Sequence, residues 1–201
     1  TFYGLVGFIL SAANIMMPLM AFGVHNTLVK FYNEYETEEK KSQFLTFVLV
    51  LPLLIILPIS LIGYFGYHQI AELLSKKNPI VYDYVWQIPV IGLCMGYFEI
   101  FYAWVKVHLQ SVYGSFVKEV LLRVLISIFL FAVYFDVISP QQFVFALMGI
   151  YFLSLFAMFL YAMKVKTPRF NLVFPDNAKA VLIYCFFIIL SGSVANMLLD
   201  V

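Results

Sequence analysis

Six apolar segments, each about 20 residues or longer, restrict the fold of this chain more than any other feature. They cover residues 2–24, 43–66, 84–109, 115–138, 142–163 and 179–200. A helix rises about 1.5 Å per residue, so about 20 apolar residues cross ~30 Å of hydrocarbon. Helices are favoured because backbone groups in lipid must pair within their own segment. We therefore predict an all-α polytopic membrane protein with six transmembrane helices.

The composition agrees with this fold class and argues against several functions. Apolar residues make up 64% of the chain and charged residues 11%, too few to cover a water-exposed surface. The sequence lacks Gly-x-Ser-x-Gly, His-Glu-x-x-His and Walker-type motifs, and no basic arm suggests nucleic-acid binding. Cys94 and Cys185 lie within apolar runs and are predicted to be small buried hydrophobes. We expect neither an enzyme nor a nucleic-acid-binding protein, and no cofactor or metal site.

The basic residues divide unevenly between the two sides that six alternating spans define. Lys76 and Lys77 fall on one side, and the other ten Lys and Arg residues fall in or beside the remaining loops. The positive-inside rule makes the richer side cytoplasmic. We therefore predict cytoplasmic loops at 25–42, 107–117 and 164–179 and an outer start, in a chain cut at both ends from a longer parent. The ten residues are Lys30, Lys40, Lys41, Lys106, Lys118, Arg123, Lys164, Lys166, Arg169 and Lys179.

A stripe of small and polar residues marks one face of the first segment. Polar groups inside a membrane helix are costly, so their placement is informative. Such a face either packs closely against another helix or lines a wet cavity, and the sequence leaves both alternatives open. Pro18 should also loosen or kink the helix. The stripe consists of Gly4, Gly7, Ser11, Asn14 and Pro18, and His25 continues it.

The third and fourth segments place opposite charges at similar depth. Gly92 and Gly96 form a Gly-x-x-x-Gly step that permits close helix approach, and Glu99 follows on the same stripe. Glu99 precedes the turn near Ser111 by about as many residues as Arg123 follows it, so both are predicted at one depth. The two either pair or face one aqueous cavity, or Arg123 extends to the cytoplasmic interface without a partner.

Polar residues also mark the fourth and sixth segments. One face of the fourth segment carries Glu119, Arg123, Ser127 and Tyr134. In the sixth segment, Ser193, Asn196 and Asp200 share one face. These patterns predict helices that face the interior of a bundle and line a polar path. Polar stripes on several helices favour conduction of a polar group through the membrane.

The chain resembles bacterial polysaccharide biosynthesis proteins of the oligosaccharide flippase type, in the multidrug/oligosaccharidyl-lipid/polysaccharide exporter superfamily. The resemblance covers essentially the whole chain and rests on diffuse membrane patterns. The matching stretches are Tyr3-Gly4-Leu5, Gly23-Val24-His25-Asn26-Thr27-Leu28-Val29-Lys30-Phe31-Tyr32, Tyr97-Phe98-Glu99-Ile100-Phe101-Tyr102-Ala103-Trp104, Lys118-Glu119 with Arg123, and Gly192-Ser193-Val194-Ala195.

The resemblance implies the second to seventh helices of a two-lobe transporter with twelve to fourteen. Residues 1–165 would then be most of the N-terminal lobe, with five helices. Residues 166–178 would be a cytoplasmic interlobe loop, and residues 179–201 the first helix of the C-terminal lobe. The implied location is the bacterial cytoplasmic (inner) membrane.

The implied function is translocation of a polyprenyl-pyrophosphate-linked oligosaccharide by alternating access, for synthesis of cell-surface polysaccharide. Its expected partners are the lipid bilayer, the lipid-linked glycan and H⁺ or Na⁺ as a coupling ion. Cationic cavity residues would attract the pyrophosphate, and acidic ones could couple to the ion. By position, the candidates for the first role are His25, Lys30, Lys106 and Arg123, and those for the second are Glu99 and Asp200.

Other functions remain open at this stage. A cation-coupled drug antiporter of the same superfamily would prefer an acidic, aromatic cavity. A membrane-embedded glycosyltransferase or acyltransferase would need a catalytic acid or His in a large extramembrane loop, and the loops here are short. A non-transport assembly subunit is a further alternative.

Overall fold

The chain folds into helices joined by short turns, and the described residues contain no strand. This computed structural model describes the backbone of residues 2–76, 78–168 and 173–199 and the side chains of residues 4–76, 78–168 and 173–191. The helices are α1 (Phe2–Met20), α2 (Val24–Phe31), α3 (Glu38–Phe65), α4 (Tyr67–Ser75), α5 (Gln87–Val107), α6 (Ser111–Phe116), α7 (Leu122–Tyr134), α8 (Pro140–Val165) and α9 (Ala178–Leu199).

The first predicted span is a bent pair of helices. Helix α1 ends at Met20 and α2 begins at Val24, with an angle of 44° between them. Pro18 lacks the N–H that would continue the helical ladder, and Phe22 and Gly23 follow with φ angles of 47° and 64°. These left-handed residues form an elbow, the three-residue turn 21–23, in place of the straight helix over 2–24.

Helix α5 lies at the centre of the bundle and packs against α1, α2 and α8. The Gly-x-x-x-Gly step brings α1 close, as its spacing predicts. A Cβ on Gly92 would lie 3.3 Å from the carbonyl oxygen of Ala13, and one on Gly96 would lie 3.0 Å from the amide nitrogen of Ala21. Both positions therefore have room for hydrogen only, and the two backbones pack directly.

The two ends of the bundle hold separate apolar clusters. At one end, the predicted polar loop over 72–83 contains the end of α4 and a 3₁₀ segment, Pro79–Tyr84. Buried Ala71, Val81 and Tyr84 pack there against the first turns of α1 and α5. At the other end, α2, the start of α3, the end of α5 and the end of α8 share a larger cluster that includes Trp104.

The predicted cytoplasmic loops meet at this second end. Tyr32 contacts His108 at 3.3 Å between the hydroxyl and Nε2, and the rings of Tyr113 and Tyr161 stack at 4.1 Å. Lys166 is hydrogen-bonded to Glu38. Segments from all three predicted cytoplasmic loops thus lie on one side of the molecule, as alternating spans require.

Helices α6 and α7 are continuous through a π-helical turn, Val117–Leu121, whose flanking residues keep right-handed helical dihedrals. Together they correspond to the fourth predicted span. Helix α8 then begins with a capping box: the hydroxyl of Ser139 accepts from the amide of Gln142, and Gln142 accepts from the amide of Ser139. Pro140 stands at the first helical position, where its missing N–H is harmless.

Within the described residues, three helices are long and apolar enough to cross a membrane: α3, α5 and α8. The bent pair of α1 and α2 is a fourth if it forms one span. The described part of the chain is therefore all-helical, with three to four helices able to span a membrane. The six-span arrangement needs two further spans. One would be formed by α6 and α7, which carry several charges with the π-helical turn between them, and the other by α9. The six-span arrangement stays a prediction.

Candidate functional site

A cavity of about 370 Å³ lies between α1, α5, the π-helical turn, α7 and α8. Its walls combine apolar and charged side chains. Asn14 and Met17 come from α1, and Tyr151 and Ser154 come from α8. The remaining lining residues are Cys94, Met95, Phe98, Glu99, Lys118, Glu119, Leu122, Arg123 and Ile126.

Glu99 is the least exposed charged residue of this cavity. Its Oε1 accepts a hydrogen bond from Nζ of Lys118 at 2.5 Å, and the two side chains are 14% and 46% exposed. The contact joins α5 to the π-helical turn. A charge-assisted bond of this kind compensates the carboxylate for the water it has lost.

A second ion pair stands beside the first. Nη2 of Arg123 donates to Oε2 of Glu119 at 2.8 Å, one helical turn earlier. The direct pairing of Glu99 with Arg123 that the sequence allowed is therefore wrong, since each of them has another partner. Their shared cavity, the other arrangement considered, is what the structure contains. Arg123 lines this cavity with a side chain that is 76% exposed, and Glu119 is its partner.

The polar stripe of α1 faces away from neighbouring helices. Gly4, Gly7, Ser11 and Asn14 are exposed, and a Cβ on Gly7 would meet no atom within 4 Å. The two arrangements considered for this stripe were close packing against another helix and the lining of a wet cavity. Close packing applies only at Pro18, which is buried. Asn14 lines the cavity, whereas Ser11 lies one turn away and is not among the lining residues.

His25 and Lys106 flank the cavity toward the elbow. The Nδ1 atom of His25 is buried and has no hydrogen-bond partner among the described residues. Its charged neighbours are Glu99, Lys106 and Lys118. Nζ of Lys106 lies 4.0 Å from the ring centroid of Tyr102, a cation–π contact. His25 thus lies within electrostatic reach of both members of the first ion pair and of Lys106, and neither His25 nor Lys106 is among the lining residues of the cavity.

The other predicted site residues lie elsewhere. Nζ of Lys30 lies 4.0 Å from the ring centroid of Tyr184 on α9 and is not among the cavity's lining residues. Ser127 is exposed on α7, beyond the cavity. The side chains of Ser193 and Asn196, and Asp200 as a whole, lie outside the described residues.

Several lining residues were not predicted as site residues. Lys118 and Glu119 are close to Arg123 in the sequence. The α-helical period alone, however, does not predict the contact of Lys118 with Glu99. Tyr151 and Ser154 are three residues apart on α8 and so share a helix face, which was a usable signal. The hydroxyl of Ser154 donates to the carbonyl oxygen of Ile150 at 2.9 Å, so this Ser is already satisfied.

The charges that line the cavity balance one another. Two acids and two bases face one cavity in pairs, so an incoming ionic group of either sign can replace one member of a pair. No group of His, Cys, Asp or Glu within the described ranges could hold a metal ion. Comparison with known protein families, with curated proteins and with solved structures finds no match to this chain.

Proposed function

We propose that this chain is part of a membrane transporter that moves a lipid-linked oligosaccharide, a polyprenyl-pyrophosphate glycan, across the bacterial cytoplasmic membrane by alternating access. The observation that carries the proposal is the cavity of paired charges between apolar helices, in which Glu99 with Lys118 is the more buried pair and Glu119 with Arg123 the more exposed one. Charged side chains are rare inside membrane helices and mark the paths of polar substrates.

The balance of charge favours an anionic substrate over a cationic drug. Glu99 and Glu119 are each matched by a cation, and His25 lies within electrostatic reach of the first pair and of Lys106. A phosphate group is recognised by Arg as a bidentate fork and by Lys as a point charge. The pyrophosphate would therefore replace Glu99 and Glu119 as the partner of Lys118 and Arg123. Glu99 would then be free to bind H⁺ or Na⁺.

The proposal includes the membrane arrangement that the sequence predicts. Six helices cross the membrane, the loops at 25–42, 107–117 and 164–179 are cytoplasmic, and α9 opens a second lobe. The meeting of these loops at one end of the bundle supports it. Thiol labelling of Val112→Cys and Val137→Cys, both at exposed positions, should reach the first from the cytoplasm only and the second from outside only.

The test of transport is mutation of Arg123 to Gln in the full-length protein within its native host. We expect surface glycan to fall and the lipid-linked intermediate to accumulate on the cytoplasmic leaflet, with protein levels unchanged. Lys164→Gln is the matched control, because Lys164 is exposed at the end of α8 and outside the cavity. Unaltered glycan in the Arg123→Gln strain at normal protein level would reject the proposal.

The drug antiporter of the same superfamily is the second candidate, because two acids and the rings of Phe98 and Tyr151 line the cavity. The same strains distinguish it. If Glu99→Gln and Glu119→Gln raise sensitivity to cationic drugs and leave surface glycan intact, the antiporter is correct.

A further inference from the structure

Helix α9 and the residues before it dock on the elbow between α1 and α2. A Cβ on Gly23 would lie 2.7 Å from the carbonyl oxygen of Cys185 and 3.0 Å from Cβ of Ile188. The hydroxyl of Thr27 donates to the carbonyl of Gly23 at 3.0 Å, and Sγ of Cys185 lies 3.2 Å from the same hydroxyl oxygen. The thiol of Cys185 is then the donor to Thr27.

Further contacts extend the docking toward the charged end of the bundle. Nζ of Lys30 lies over the ring of Tyr184, whose edge meets Phe31 at 5.6 Å between centroids. The hydroxyl of Tyr35 donates to Oδ1 of Asn177. Lys40 pairs with Asp176 at 3.0 Å. Each of these contacts joins α2, the segment after it or the first turn of α3 to α9 or the segment before it.

The contacts differ in strength. The pair of Lys40 and Asp176 is exposed and contributes little, whereas Thr27 and Cys185 are fully buried at the elbow. The opposite face of α9 leaves large apolar side chains uncovered, so α9 is attached along one side. These side chains are Leu182, Ile183, Phe186, Phe187 and Leu190.

The elbow itself is strained. Phe22 carries a Cβ at a φ angle of 47°, a conformation that residues other than Gly adopt at a cost. A straighter path from α1 to α2 would return Phe22 and Gly23 to right-handed dihedrals. Gly23 is in close contact with Cys185 and Ile188, so a change of the elbow at Gly23 would disturb the docking of α9. The conformation of the elbow and the docking of α9 are thus coupled.

We propose that the docking of α9 on this elbow is a reversible latch, and that each transport cycle opens and closes it. The transport role rests on the proposed function, whereas the opening itself does not. The latch lies between the charged cavity and the predicted cytoplasmic end, beside His25. Its opening would change access to the cavity from that end.

A disulfide can hold the latch closed. Thr27→Cys in the full-length protein, with Cys94→Ala to remove the other native thiol of this chain, places a thiol beside Cys185. Oxidation should form the bond, and reduction should release it. The matched control carries Thr27→Cys, Cys94→Ala and Cys185→Ala, and it has no partner thiol.

Two measurements read the result. Hydrogen exchange at the amides of residues 21–31 should slow at least tenfold on oxidation, because a permanently docked α9 prevents opening. Glycan export should stop in the oxidised protein and return after reduction, while the control responds to neither treatment. Slowed exchange with unchanged drug and glycan transport would overturn the latch's transport role.

Unchanged hydrogen exchange after complete disulfide formation would overturn the latch itself, because the docking would then be static. If glycan export is absent even from the reduced, wild-type protein, the proposed function fails and the exchange measurement still decides the latch. Should Thr27→Cys fail to fold, Lys40→Cys with Asp176→Cys and a short bis-maleimide linker repeats the test at exposed positions.

Discussion

Oε1 of Glu99 on α5 lies 2.5 Å from Nζ of Lys118 in the π-helical turn, and this contact joins two neighbouring helices at the wall of the charged cavity. The carboxylate is 14% exposed and the ammonium 46%. Removing the Lys118 ammonium leaves the mostly buried Glu99 carboxylate without its partner. This loss destabilises the protein more than replacement of both residues by apolar ones.

We expect Lys118→Ala to lower stability by about 1–3 kcal/mol, between the values for exposed and buried pairs. Thermal unfolding of the purified protein in detergent measures the loss. The charge swap Glu99→Lys with Lys118→Glu should recover more stability than Glu99→Lys with Arg123→Glu. Equal recovery by the two double variants would contradict the observed pairing.

Gly114 packs against the ring of Tyr102, and a Cβ there would lie 2.2 Å from Cδ2 of that ring. Gly114→Ala should therefore destabilise the protein by roughly 1–3 kcal/mol through overpacking. Unfolding temperature is the measurement. Gly149→Ala is the control, since no atom lies within 4 Å of its added Cβ. In a Tyr102→Ala background, Gly114→Ala should cost less stability than in the wild type if the collision with the ring is its cause.

Much of the fold follows from apolar segment length, because each segment can bury its backbone only as a helix. The start of α8 and the close approach at Gly92 and Gly96 follow equally from local rules. Helix α4 was missed because its residues are mixed in polarity, and its formation depends on burying Ala71 beneath the 3₁₀ segment. The elbow was foreseen only as a kink at Pro18, since left-handed dihedrals at Phe22 have no sequence signal.

The site was partly predictable. Counting from a turn near Ser111 placed Glu99 level with Arg123, but α5 ends at Val107 and α6 begins at Ser111. Glu99 is eight residues before the end of α5, and Lys118 is seven residues after the start of α6, so the two residues lie at the same depth. The π-helical turn then sets which face Lys118 presents. Neither helix end nor π register can be read from a 3.6-residue period.

The ion pair of Lys166 with Glu38 holds the end of α8 to the start of α3, and it predicts a pH dependence. The hydrogen bond to Glu38 raises the pKa of Lys166 above the ordinary value. Because the pKa of Lys166 is raised on folding, the ion pair stabilises the folded protein fully at pH values below the unfolded pKa of about 10.4. This stabilisation is lost as the pH rises through the folded pKa.

Stability of the wild type relative to Lys166→Gln should thus be constant near neutral pH and decline above about pH 10. The difference should be small because both side chains are partly exposed, and added salt should reduce it. Lys179→Gln is the control, at an exposed position near the start of α9. A difference that grows with alkaline pH would contradict the pairing.

The π-helical turn Val117–Leu121 sets the register between the two ion pairs, and deleting one of its residues tests this directly. Wide turns of this kind are often found at functional sites. Deletion of Val120 should leave a regular helix and rotate residues 111–119 by about 100° relative to α7. Lys118 would then leave Glu99, while Glu119 and Arg123 would be three residues apart and still able to pair.

The Val120 deletion should lower the unfolding temperature at least as much as Lys118→Ala does, because both changes remove the pair with Glu99. Glycan export should fall at least about tenfold, equivalent to 1.4 kcal/mol, since the cavity loses its first ion pair. Val120→Ala keeps the length of the turn and should export normally. Normal export by the deletion variant at wild-type protein level would show that the register of Lys118 is irrelevant to transport.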